Sequence, residues 1–196
     1  MTRLAEIDPA TLDSGYRAAF EAADARGRMM LTPTLHAPEL MGALHHFADV
    51  LKAKGTISHR LVEMLRLRIA FHNQCRSCMA MRYQSGIDGG ITEGDVCSLE
   101  QPEEAPDLTE AEKAALAYAD ISAINHFAID EAIFARLRRH YSEAEIVELG
   151  LHIAYFIGFG RLVAAWDMVE ELPGGVADKS APATPWGSET FVVPDS

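Results

Sequence analysis

The stretch Ser58-His59-Arg60-Leu61-Val62-Glu63-Met64-Leu65-Arg66-Leu67-Arg68-Ile69-Ala70-Phe71-His72-Asn73-Gln74-Cys75-Arg76-Ser77-Cys78 decides the fold. Ser58 is a helix N-cap residue. Leu61, Leu65 and Ile69 recur behind it at helical spacing, which predicts a helix toward His72. Asn73 tolerates the left-handed conformation and marks the end of that helix. A new helix is expected to start near Cys75 and to close at Gly86. Outward from this hairpin the apolar spacing stays helical and alternating strand patterns are scarce, so the fold class is all-α, a compact helical bundle.

Asp8-Pro9 predicts a helix running to about Arg26, with Gly27 closing it. Pro38 opens a second helix that ends near Lys54-Gly55, and Thr92 caps a short one through Val96. Thr109 with Glu112 and Ser142 with Glu145 form capping boxes, and Asp130 caps a helix over Glu131–His140. Ser58, Leu65, Leu67, Ile69, Ala70 and Phe71 align with Ser142, Leu149, Leu151, Ile153, Ala154 and Tyr155, a faint internal repeat. The 196 residues suffice for one core, assigned to residues 1–172. The tail, 173–196, is rich in Gly, Pro, Ser and Ala and is expected to be irregular. Its Trp186, Phe191, Val192 and Val193 could dock on the body or on a neighbouring subunit.

The composition is globular, with 48% hydrophobic and 23% charged residues. The formal net charge of -12 argues against nucleic acid and against anionic membranes, which require clustered cations. Ile146–Trp166 is strongly apolar but contains Glu148, His152 and Arg161, and it reads as a buried core helix rather than a membrane span. No apolar run follows Met1, so no signal peptide is expected. The 3 cysteines are too few and odd in number for a secreted disulfide framework, and a reducing cytoplasm is the expected compartment.

Cys75-Arg76-Ser77-Cys78 is the sharpest signal. Two intervening residues bring the sulfurs within disulfide reach on a first helical turn. A helix N-terminus favours thiolate over thiol, and Arg76 and Arg82 add positive charge. On one continuous helix Arg82 would share a face with Cys78. Zinc is the main competitor, but a second half-site is missing. Two chance buried cysteines are the bland reading. Cys97 has no partner in sequence and reads as structural. Glu63 lies roughly 18 Å from Cys75 on a straight helix. A turn at Asn73-Gln74 would instead let it approach the pair, directly or through water, and burial would suit it to proton transfer. Its alternative is a surface ion pair with Arg66 or Arg60. His59 and His72 flank the same helix as further proton-carrier candidates, each more plainly a surface or core histidine.

Glu63, Leu65-Arg66-Leu67-Arg68-Ile69-Ala70-Phe71 and Cys75-Arg76-Ser77-Cys78 together resemble the carboxymuconolactone decarboxylase superfamily, in its alkyl hydroperoxidase D-like branch. Ala114-Ala119, Phe134-Leu137 and Ser142-Leu149 are similar as well, and the resemblance covers roughly residues 10–170. It implies a helical fold with the site on a two-helix unit, assembly as a dimer, trimer or hexamer, and no cofactor or metal. It also implies that Cys78 attacks a hydroperoxide and Cys75 resolves the sulfenic acid, with a dithiol or reducing protein as the reductant. Helix-end reasoning alone favours Cys75 as the activated thiol. The family motif has a histidine four residues after the second cysteine; here Arg82 stands there. Arginine stays protonated and cannot relay a proton, though it can stabilise a thiolate. The proton traffic then falls to Glu63. The asparagine usual in the C-terminal helix is also absent, with Gly158 and Gly160 there, while Arg161 matches. A general disulfide reductase or redox sensor, and a non-redox decarboxylase-like lyase, are the alternatives on the same fold.

Overall fold

Ser58 caps helix α4, His59–His72, by accepting a hydrogen bond from the Leu61 N–H, as its sequence position predicts. This is seen in a computed structural model that describes residues 2–194; Met1 and the last two residues of the tail lie outside the described residues. Before α4 come α1 (Ser14–Ala22), α2 (Ala25–His36) and α3 (Pro38–Lys54). After it come α5 (Arg76–Ala80), β1 (Met81–Tyr83), α6 (Gln84–Asp88), α7 (Glu93–Ser98), α8 (Glu110–Asn125), α9 (Glu131–Leu137) and α10 (Glu143–Trp166). The chain closes with α11 (Gly174–Ala177) and β2 (Phe191–Val193).

Helix α4 is the central element, with α8 and α10 packed against it. It buries Leu61, Met64, Leu65, Leu67, Ile69 and Ala70, so apolar side chains leave it in nearly every direction. Leu116 with the small Ala114, Ala115 and Ala119 of α8, and Leu149 and Ile153 of α10, complete the core. The repeat noted in the sequence holds only in part: Ser58 and Ser142 both cap and Leu65 and Leu149 are both fully buried, but Leu67 and Ala70 are buried where their counterparts Leu151 and Ala154 are exposed. By length and composition α10 could cross a membrane. Its Ile146, Leu149 and Ile153 face lies in the core, whereas Val147, Leu151 and Leu162 stay exposed on the opposite side.

Three expectations are corrected. The first helix is interrupted: a short 3-10 turn, Pro9–Thr11, precedes α1, and Asp13 and Asp24 cap α1 and α2 in turn. Each aspartate accepts backbone N–H bonds that a continuous helix would use internally, so Gly27 falls inside α2. The helix expected over Cys75–Gly86 breaks at β1, because Met81, Arg82 and Tyr83 pair in parallel with Phe191, Val192 and Val193. The tail, expected to be irregular, supplies that partner strand and the single turn of α11.

Arg60 ties α4 to its surroundings. It holds the Asp95 carboxylate with two bonds, of 2.6 and 2.8 Å, and Glu112 with one of 2.9 Å. The hydrogen bond from Arg60, against burial and with help from Thr92, lowers the Asp95 pKa from 3.8 to about 2. A depressed folded-state pKa stabilises the fold above the unfolded value, and that gain is lost as pH falls from 3.8 to about 2. Urea midpoints should therefore drop across this window. Asp95→Asn should cost about 2 kcal/mol at neutral pH and flatten the acid limb.

Candidate active site

The site begins where α4 stops. The Asn73 N–H closes onto the Ile69 and Phe71 carbonyls, and the residue in the left-handed region is Gln74, with φ 49°, not Asn73 at −75°. The Cys75 N–H then returns to the Ala70 carbonyl at 3.0 Å, and the chain reverses into α5. The Asn73 side chain is used elsewhere: its amide donates to the Phe156 and Ile157 carbonyls of α10 and accepts from Arg161. A Cβ at Gly160 would stand 2.6 Å from that amide nitrogen, so glycine there permits the approach.

Cys75 and Cys78 are joined as a disulfide, with Cα atoms 5.2 Å apart. Their exposures differ. Cys75 is fully buried at 0% and belongs to a cluster with Val163, Met168, Val169 and Val176. Cys78 is partly exposed and packs between that cluster and a second one made by Ala70, Met79 and Ala183. Among the described residues, no group of three or more His, Cys, Asp or Glu is placed to hold a metal. Cys97 is unpaired and exposed on α7, so it is not a core residue.

Glu63 is 3% exposed, and the turn at Asn73-Gln74 does lay its helix beside the cysteines. The link runs through Arg66. Arg66 binds both Glu63 oxygens at 2.7 Å and donates to the Cys78 carbonyl at 2.6 Å and the Met81 carbonyl at 2.7 Å. Burial opposes the guanidinium charge, but Glu63 more than offsets it and raises the Arg66 pKa. The Tyr83 N–H adds a bond of 3.1 Å to Glu63. The pairing with Arg66 weighed from sequence thus forms, but in the interior rather than at the surface. Arg66 is the residue that sequence reasoning undervalued. An arginine at i+3 from a glutamate, on a helix whose other positions are mostly apolar, is the pattern that could have marked a buried pair.

Arg82 is corrected. It stands on β1, 2% exposed, and so cannot share a helix face with Cys78. It grips Glu93 at 2.8 and 3.1 Å and donates to the carbonyls of Met79, Met81 and Pro185. Its bonding is spent on holding chain segments together. His72 is engaged with Asp120 at 2.7 Å, and Asp120 also binds Arg68.

Gly86 on α6 faces the ion pair closely. A Cβ there would lie 2.7 and 2.8 Å from Glu63 Cγ and Cβ. Gly86→Ala should cost about 1–3 kcal/mol in urea unfolding, by overpacking. Gly42→Ala, mid-helix with nothing within 4 Å, should be neutral or slightly stabilising.

The carboxymuconolactone decarboxylase family model matches residues 38–120. An uncharacterised protein of Mycobacterium tuberculosis is 38% identical over 93 residues, 46% of this chain and 32% of its own length, so the match spans about a third of that relative. The uncharacterised protein YdfG of Bacillus subtilis is 27% identical over 130 residues, 66% of this chain and 88% of that protein. Two solved structures share the fold. One, the alkylhydroperoxidase AhpD core of an uncharacterised peroxidase-related protein from Ralstonia eutropha, has a TM-score of 0.67 at 20% identity, covering 90% of this chain and 94% of that one. The other, a protein of unknown function from Agrobacterium tumefaciens suggested to be an antioxidant-defence AhpD, has a TM-score of 0.62 at 23% identity, covering 72% and 95%.

Proposed function

We propose that this chain, which matches the carboxymuconolactone decarboxylase family model over residues 38–120 and shares the alkyl hydroperoxidase D-like fold, is a member of that superfamily and a thiol-dependent hydroperoxide reductase. The observation that carries the reading is the Cys75–Cys78 disulfide, in which Cys78 is a partly exposed residue and Cys75 an enclosed one. A nucleophile must meet its substrate, and a resolving thiol need only meet the nucleophile. Exposure therefore supports Cys78 as the attacking residue and Cys75 as the resolving one.

In the cycle, the Cys78 thiolate attacks one oxygen of the O–O bond. Cys78 becomes a sulfenic acid and the other oxygen leaves as an alkoxide, which takes a proton to give an alcohol, or water from hydrogen peroxide. The Cys75 thiol condenses with the sulfenic acid, releasing water and forming the disulfide. A dithiol returns both residues to thiols and becomes a disulfide itself. A reducing compartment such as the cytoplasm supplies that dithiol. Both Glu63 oxygens are engaged by Arg66, so the pair acts as a positioning device that fixes the Cys78 carbonyl, and the alkoxide is protonated from solvent at the exposed side. Assembly with further copies belongs to the same reading, and Val147, Leu151 and Leu162 of α10 offer apolar surface for it. The test is consumption of an organic hydroperoxide by the reduced protein with dithiothreitol. Stoichiometric formation of the Cys75–Cys78 disulfide without turnover would instead mark a redox sensor. Thiols inert to peroxide would remove the redox reading.

A further inference from the structure

The tail does more than end the chain. After α11 it crosses the redox segment, and the donors that hold it come from that segment. Arg76, between the two cysteines, donates to the Val176 and Asp178 carbonyls at 2.9 and 2.8 Å and to the Ala181 carbonyl at 2.5 Å. Arg82 donates to the Pro185 carbonyl at 2.7 Å. Ala183 is buried in the cluster against which Cys78 packs, and the Trp186 ring lies 4.8 Å from that of Phe71. The strap is then fastened by the parallel pairing of β2 on β1, immediately after the cysteine helix.

We propose that residues 178–193 are a strap that selects the reductant of the Cys75–Cys78 disulfide. A small dithiol reaches Cys78 past the strap, whereas a protein dithiol must first displace it. The inference rests on the redox reading of the pair and extends it. In either case a thiolate of the reductant attacks Cys78 Sγ and breaks the Cys75–Cys78 bond. Cys75 leaves as a thiolate that takes up a proton. The second thiol of the reductant then displaces Cys78 as a thiol, and the reductant departs as a disulfide. Only the approach to Cys78 Sγ depends on the strap. The strap is built to lift: most of its long-range hydrogen bonds go to main-chain carbonyls that water can satisfy, and its strand pair is only three residues long.

The test uses the oxidised protein with no hydroperoxide present, so it stands apart from peroxide turnover. Disulfide reduction is followed by alkylation and mass spectrometry, with dithiothreitol and with a thioredoxin-type protein dithiol. Truncation after Ala177 should speed reduction by the protein dithiol roughly tenfold or more, equivalent to ~1.4 kcal/mol of barrier, and leave the dithiothreitol rate within about twofold. Arg76→Met, which keeps the whole chain, should change the same ratio in the same direction and decides the matter if the truncated protein does not fold. A shift in the disulfide potential caused by losing the Arg76 charge would act on both reductants alike and cancels in the ratio. Equal acceleration of both, or no change in either, overturns the strap.

Discussion

Cys78→Ser is expected to abolish hydroperoxide turnover, by roughly three orders of magnitude or more, because a serine hydroxyl is essentially un-ionised at neutral pH while a thiol is a few per cent thiolate or more. Cys75→Ser should behave differently. Without added thiol it should consume about one equivalent of hydroperoxide and stop at a sulfenic acid on Cys78 that a cyclic diketone can trap, where the unsubstituted pair stops at the disulfide. The asymmetry follows from burial, since Cys75 is enclosed among Val163, Met168, Val169 and Val176. Helix-end electrostatics argue the other way, because Cys75 is the N-cap of α5. That helix is only five residues long, so its dipole is weak. A burst in Cys78→Ser with none in Cys75→Ser would reverse the assignment. Unchanged turnover in both would remove thiol chemistry from the reaction.

Arg66→Met should destabilise the fold by about 3–5 kcal/mol, because it strands the buried Glu63 carboxylate. It also leaves the Cys78 and Met81 carbonyls without their donor. Adding Glu63→Gln to Arg66→Met should recover part of the loss, since the two residues act as one unit. Arg66→Lys keeps the charge, but a single ammonium cannot reproduce the fork that reaches Glu63 and two carbonyls at once. A packing role alone would leave the surviving folded protein with normal thiols. The positioning role predicts in addition a shifted pH profile of Cys78 alkylation in Arg66→Lys, measured at temperatures where that variant stays folded. An alkylation profile identical to wild type would confine the pair to stability.

How much was legible in advance depended on the range of the interaction. Ser58, Thr109 and Ser142 announced their helices because a cap is a contact across three residues, visible in any short window. The spacing of Cys75 and Cys78 announced their pairing for the same reason. The caps at Asp13 and Asp24 are equally local, but the apolar periodicity of the N-terminal segment runs through both and hides the interruption. Arg82 was illegible. The extended backbone that removes it from the cysteine helix comes from pairing with Phe191–Val193, and its acceptor at Pro185 is 103 residues away.

By itself, then, the sequence determined an all-helical chain, the hairpin at Asn73-Gln74 and a cysteine pair at its turn. Helix periodicity, capping and a three-residue cysteine spacing are decided within a few residues of chain. Only the tertiary structure decided which cysteine is enclosed, that Glu63 is locked to Arg66 beneath Cys78, and that the tail lies across the pair. Burial and the choice of hydrogen-bond partner are properties of surroundings. Here those surroundings are assembled from α4, α10 and a segment about a hundred residues further along the chain.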